Sequence, residues 1–148
     1  MASAAAIIGL ALAGGMQPWD TGLIFLVVFL ITGAGNAIND YYDREIDAIN
    51  RPGRPLPSGR ISPAAAWRYS LALFLAGSLL AGLVNAICLF LAAFNSTLLF
   101  FYARNLKAMP LSGNICVAFL TGSTFLFGGA AVGMQGVMTN LVPFFLSF

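Results

Sequence analysis

Four of the five acidic residues in this 148-residue chain, Asp40, Asp43, Glu45 and Asp47, crowd together at the end of a long apolar run. On insertion scales a carboxylate at the centre of a membrane helix costs about 2.5–3.5 kcal/mol, so acids beside a bilayer point to a chemical role. Asn39, Asp43 and Asp47 recur at i, i+4 and i+8. At about 100° per residue they fall within roughly 80° of one another on a helix. The spacing predicts three oxygen-bearing side chains on one stripe, facing a common volume. Such a stripe suits a hard divalent cation, and Mg²⁺ leaves several of its positions to waters or substrate phosphates. Asp43, Asp47 and Asn39 are thus candidate metal ligands of a diphosphate site at a membrane surface. Asp40, about 100° from Asn39, sits at the edge of the stripe as a catalytic or supporting candidate. Glu45 points away, toward solvent or a neighbouring arginine.

The segment that follows, Asn50 to Arg60, carries three prolines, two glycines and three arginines. Prolines exclude a regular helix and bias each preceding residue toward extended geometry. Arg51 and Arg54 therefore stand on a stiffened loop beside the acidic stripe. A guanidinium can grip phosphate oxygens in pairs, which an ammonium cannot do. Arg60 and Arg68 read instead as anchors for lipid headgroups. Ser62 before Pro63 reads as a helix N-cap with proline at the first helical position. A second basic stretch, Tyr102 to Lys107, could close over the same volume. Lys107 would supply a point charge for a phosphate, and Tyr102 a hydrogen-bond donor.

The elements that must position these groups lie in a membrane. Hydrophobic residues make up 59% of the chain and charged residues 8%, against about 25% charged in soluble domains. Residues 21–39, 69–103 and 108–148 carry no charge, and about 20 apolar residues suffice to span a bilayer. The pattern predicts spans near 2–15, 21–41, 66–83, 86–103, 113–132 and 140–148, with a turn at Gly82 to Asn85. The fold class is all-α: a single multi-pass membrane domain over 1–148, with an active-site loop at 42–65.

All seven basic residues lie between the second and third spans or between the fourth and fifth. The alternating connections carry none, so the positive-inside rule places both basic loops on the cytoplasmic face of the cell membrane. Basic residues confined to membrane edges give no reason to expect nucleic acid as a partner. Cys88 and Cys116 fall in separate spans and read as small buried hydrophobes. The absence of histidine removes the commonest general base and the usual zinc ligand. No Lys or Arg precedes the first apolar run, which argues against a cleaved signal peptide.

The run Asn39-Asp40-Tyr41-Tyr42-Asp43-Arg44-Glu45-Ile46-Asp47 resembles the NDxxDxxxD motif of the UbiA family of intramembrane prenyltransferases at every fixed position. The loop from Asn50 to Arg60 looks like the family's loop, and Tyr102–Lys107 and Leu111–Gly129 look like its fourth and fifth helices. The wording of the motif is most similar to the archaeal ether-lipid branch. The resemblance implies a nine-helix bundle, of which about five to six helices lie here. It also implies Mg²⁺-dependent transfer of a geranylgeranyl group from its diphosphate to the hydroxyl of geranylgeranylglyceryl phosphate. In the quinone, haem or chlorophyll branches the implied acceptor is an aromatic carbon or another alcohol, the aromatic-acceptor enzyme being the alternative reading. The family carries a second aspartate motif after its sixth helix, and residues 48–148 hold no acidic residue. The expectation is therefore part of a prenyltransferase, N- and C-terminally incomplete and inactive alone. Two readings from other classes stand beside it. A cation-transport subunit would use the aspartate stripe but leave the arginine loop idle; the other is a membrane scaffold.

Overall fold

A computed structural model describes residues 1–147. Its helices are α1 (Ala2–Leu12), α2 (Pro18–Asn50), α3 (Pro63–Gly82), α4 (Ala86–Arg104), α5 (Pro110–Ala130), α6 (Met134–Thr139) and α7 (Leu141–Leu146). A single 3₁₀ turn, Leu106–Ala108, joins α4 to α5. No strand occurs among the described residues. Helices α2 to α5 are long and apolar enough to cross a membrane. This bears out the all-helical, multi-pass class.

Local sequence sets most helix ends. Pro18, Pro63 and Pro110 each open a helix, where the missing N–H costs nothing. Ser62 caps α3 by accepting from the Ala65 N–H at 3.2 Å, as its sequence suggests. Asn85 has two tasks. Its side-chain oxygen accepts from the Cys88 N–H at 2.9 Å to start α4, while its Nδ2 donates to the Ala130 carbonyl at 2.8 Å. The start of α4 is thereby tied to the end of α5.

Three boundaries differ from the sequence reading. Helix α1 ends at Leu12 rather than near residue 15. Helix α2 runs on to Asn50, so residues 42–50 are helical and the connection spans 51–62 rather than 42–65. A span ends where the bilayer does, but a helix needs a breaker. None occurs before Pro52, whose ring turns Arg51 out of helical geometry (φ −146°, ψ 62°). Residues 134–139, read as a connection, form α6. The break before α7 falls at Asn140, fully buried, whose Nδ2 donates to the carbonyls of Gly9 (3.0 Å) and Gly136 (2.9 Å).

Helix α2 is the hub, packing against α1, α3 and α4, while α1 lies against α5. Ile24, Val27, Ile31, Ala34 and Ile38 of α2 meet Phe74 of α3, Ala92 of α4 and Phe127 of α5 in one core. With lipid outside, close packing rather than the hydrophobic effect holds such helices together. Gly128 allows that on α5: a Cβ there would lie 2.8 Å from the Ala6 carbonyl carbon and 2.9 Å from the Leu10 nitrogen. Large apolar side chains such as Phe29, Leu75, Leu79 and Phe90 point outward, as lipid-facing residues do.

Candidate active site

The acidic stripe lies on the last turns of α2, and each acid that could ligate a metal meets a cation. The Lys107 ammonium donates to Asn39 Oδ1 at 3.1 Å and to Asp43 Oδ1. The Arg54 Nη1 donates to Asp40 Oδ1 at 2.9 Å and to Asp47 Oδ2 at 2.7 Å. The motif thus splits in two. Asn39 and Asp43 turn toward the α4–α5 connection, and Asp40 and Asp47 toward the proline loop.

This corrects the expectation of one common volume. Each step of four residues advances about 40° around a helix, and two steps suffice to hand the ends of a stripe to different neighbours. On one side Asn39 lines a cavity of about 650 Å³ with Tyr102, Asn36, Asn95 and three threonines (Thr32, Thr121 and Thr124) among otherwise apolar walls. On the other, Asp40, Asp47 and Arg54 border a cavity of about 480 Å³ floored by Ala37, Leu56, Ala66 and Tyr69.

Burial ranks the acids. Asp47 is the most enclosed, at 7% exposed, and is the only charged residue among the buried ones described. A carboxylate so placed needs its counter-charge, because an unpaired buried charge is costly. Arg54 in turn is held charged: its hydrogen bond to Asp47 raises its pKa above the ordinary value, partial desolvation opposes this, and the charges of Asp40, Asp47 and Asp43 add to it.

The loop that presents Arg54 is internally braced. Ser58 N–H donates to the Arg54 carbonyl at 3.0 Å, and Ile61 N–H to the Pro55 carbonyl at 3.1 Å. Gly59 takes a φ of +75° that a side chain would resist. Arg60 braces the loop, donating to Ser58 Oγ at 3.0 Å and to the Gly53 carbonyl at 2.5 Å. Arg51 is exposed at the helix end. Glu45 pairs outward with Arg44 at 3.3 Å, and Arg44 lies over the Tyr41 ring. Lys107 is set by the 3₁₀ turn, against which the first turn of α5 tucks closely. A Cβ on Gly113 would lie 2.9 Å from the Leu106 carbonyl oxygen.

Two lining residues escaped the sequence reading. Asn36 sits one turn before Asn39 on the same face, a signal the motif itself overshadows. Asn95 interrupts the apolar run of α4, and its Oδ1 is buried without a partner among the described residues. Buried polar atoms in apolar surroundings call for a hydrogen-bonding guest.

The residues present fit a hard divalent cation. Asn39 Oδ1 and Asp43 Oδ1 already converge on one positive charge, the Lys107 ammonium. No cluster of three or more acids, histidines or cysteines poised for a metal occurs among the described residues. Mg²⁺ does not require one, since it binds through one or two carboxylates plus substrate phosphates.

A helical membrane bundle with an acid-rich, cation-bridged helix end above an apolar cavity defines the class. The match to the UbiA prenyltransferase family spans residues 2–148, and the chain belongs to that family. Among curated proteins it is similar to the digeranylgeranylglyceryl phosphate synthase of Methanothrix thermoacetophila, 56% identical over 143 residues covering 95% of this chain and 54% of that protein. The synthase of the same name from Methanococcoides burtonii is 56% identical over 84% of this chain and 44% of its own length. A solved structure of a digeranylgeranylglyceryl phosphate synthase superposes with a TM-score of 0.91 at 40% identity, covering 99% of this chain and 52% of the other. A UbiA homolog from Aeropyrum pernix K1 shares the fold, with a TM-score of 0.80 at 24% identity. The chain spans about half the length of the curated relatives it matches.

Proposed function

We propose that this chain contributes the first metal-and-diphosphate site of an intramembrane prenyltransferase. The reaction moves a geranylgeranyl group from its diphosphate to the hydroxyl of geranylgeranylglyceryl phosphate. The observation that carries this reading is the placement of Lys107 and Tyr102 with Asn39, above an apolar cavity of about 650 Å³ within the bundle. The named relatives support the choice of acceptor over an aromatic one.

In this reading Lys107, Arg54 and the exposed Arg51 take the oxygens of the diphosphate, and Tyr102 donates a further hydrogen bond from the cavity wall. Asn39 and Asp43, with Asp47 from the loop side, would hold Mg²⁺, and the metal would supply positive charge to the departing diphosphate, a form of stabilisation that dominates much catalysis. The apolar walls, including Val27, Ile31, Leu99 and Phe127, hold the prenyl tail. They also exclude water from an allylic carbon that becomes cation-like as its bond to oxygen breaks. The acceptor hydroxyl attacks that carbon in place of water. Asp40, paired with Arg54, supports the loop side of the site. The basic loops, and with them the site, face the cytoplasm.

An ion-conducting alternative finds less support, because it gives no task to Arg54, which the loop holds against Asp40 and Asp47. The test is complementation in membranes. Residues 1–148 are co-expressed with the portion of the Methanothrix relative that they do not match, and transfer from radiolabelled geranylgeranyl diphosphate is measured. Mg²⁺-dependent formation of the diether supports the reading. Mg²⁺-dependent ion flux without transfer overturns it.

A further inference from the structure

The pairings around the acidic stripe are unequal in one respect that bears on how ligands enter. Arg54 uses a single nitrogen, Nη1, for both Asp40 and Asp47. A guanidinium has five N–H donors in a rigid fork, so Arg54 can hold both acids and still offer Nη2 and Nε to a phosphate. The Lys107 ammonium has three donors and keeps only one beyond its two bonds. Its one nitrogen is the bridge between Asn39 Oδ1 and Asp43 Oδ1, at the point where those two oxygens converge. Its side chain is 24% exposed and that of Asp43 30%, a setting drier than a surface pair, where interactions between charges are strengthened. A divalent ion and the ammonium cannot share that position.

Resting on the diphosphate-site reading above, we propose that Lys107 is a displaceable counter-ion. It closes the Asn39–Asp43 oxygens to a divalent cation until a diphosphate takes the ammonium over. A divalent cation arriving alone must expel the ammonium and leave it unpartnered beside a double positive charge. A diphosphate arriving alone meets Asp40, Asp43 and Asp47, with the Lys107 ammonium already engaged and only the free edge of Arg54 to receive it. When the two arrive together, every charge finds a partner. The lysine's flexible four-carbon stem suits a swing between two anions, which a planar fork braced on two acids does not. Metal and diphosphate are therefore cooperative ligands, and each tightens the other by the same factor.

The experiment uses the whole chain in lipid nanodiscs, with Mn²⁺ as a paramagnetic probe and radiolabelled inorganic pyrophosphate as the anion. For the unaltered chain, Mn²⁺ alone binds weakly, and saturating Mn²⁺ tightens pyrophosphate binding about tenfold, within the usual range of such couplings. Lys107→Met binds Mn²⁺ alone about tenfold more tightly and loses most of the coupling. Lys107→Gln moves the same way, and Lys107→Arg, which keeps the charge, still binds Mn²⁺ alone weakly. Asp43→Asn removes Mn²⁺ binding in every background. If Lys107→Met and Lys107→Gln bind Mn²⁺ alone no better than the unaltered chain, while that chain binds Mn²⁺ and pyrophosphate together, the exchange is wrong and the site reading survives. If the unaltered chain binds neither ligand even in combination, both fail.

Discussion

Arg54 and Asp47 are seven residues apart, and a hydrogen bond of 2.7 Å from Arg54 Nη1 to Asp47 Oδ2 folds the proline loop back onto the helix it has just left. The bond satisfies the most buried acid of the motif and fixes where the loop's guanidinium stands. Arg54→Met should loosen residues 51–62 and expose them to protease. The raised pKa of Arg54 gives that contribution its pH range. It is fully present below the unfolded-state value for arginine and is lost only as pH rises through the higher folded-state value. Loop protection in the unaltered chain should show no arginine-linked change between about pH 6 and pH 9. Limited proteolysis with mass spectrometry across that range checks both statements.

Arg54→Lys and Arg51→Lys should weaken donor binding more than acceptor binding, because an ammonium cannot reproduce paired contacts to a diphosphate. Separate KM values for donor and acceptor in the complemented enzyme decide this. Equal effects on both substrates would remove these arginines from the diphosphate site.

Asp43→Ala and Asp47→Ala should each lower transfer by about a hundredfold or more, the scale seen when one group stabilising transition-state charge is removed. Asp→Glu at either position should keep a small residue of activity, given the strict geometry Mg²⁺ demands. Turnover assays over a Mg²⁺ titration measure it. Near-normal turnover in either alanine variant would remove that residue from the metal site.

Single cysteines at Gly53 and Arg104 should react with a membrane-impermeant maleimide from the cytoplasmic face, and those at Gln17 and Gln135 from the opposite face. All four positions are exposed, whereas the native Cys88 and Cys116 are buried. Gly136 would be a poor probe site, since its backbone packs against Gly129. Any of the four labelling from the wrong side would break the orientation.

Gly128→Ala should separate α1 from α5 by driving a methyl group into the Ala6–Leu10 backbone, at a cost of about 1–3 kcal/mol for overpacking. Asn140→Ala should cost about 1–3 kcal/mol by removing two buried side-chain hydrogen bonds, those from Nδ2 to the carbonyls of Gly9 and Gly136. Thermal unfolding in detergent measures both, and a lowered midpoint is expected for each. An unchanged midpoint for Gly128→Ala would mean that the α1–α5 contact yields easily.

Much of this protein is written locally. Charge-free stretches longer than a bilayer is thick dictate membrane helices, because lipid leaves no partner for an unsatisfied backbone. Ser62-Pro63 and Asn85 mark helix starts through contacts within a few residues, so both were legible from order alone. The acidic motif and the arginine loop stand adjacent in sequence and are recognisable by residue type.

What only the tertiary structure decided is which partner each acid meets. Lys107 lies 64 residues from Asp43 and 68 from Asn39, and no spacing rule links them. The 3₁₀ turn after α4 and the close seat of Gly113 bring them together. Asp47 turns to Arg54 instead, because the stripe rotates as it climbs and its far end faces the loop rather than α4. Helical spacing says which residues share a face. The packing of α2 among its neighbours divides that face between two cavities, and that division is a property of the assembled bundle.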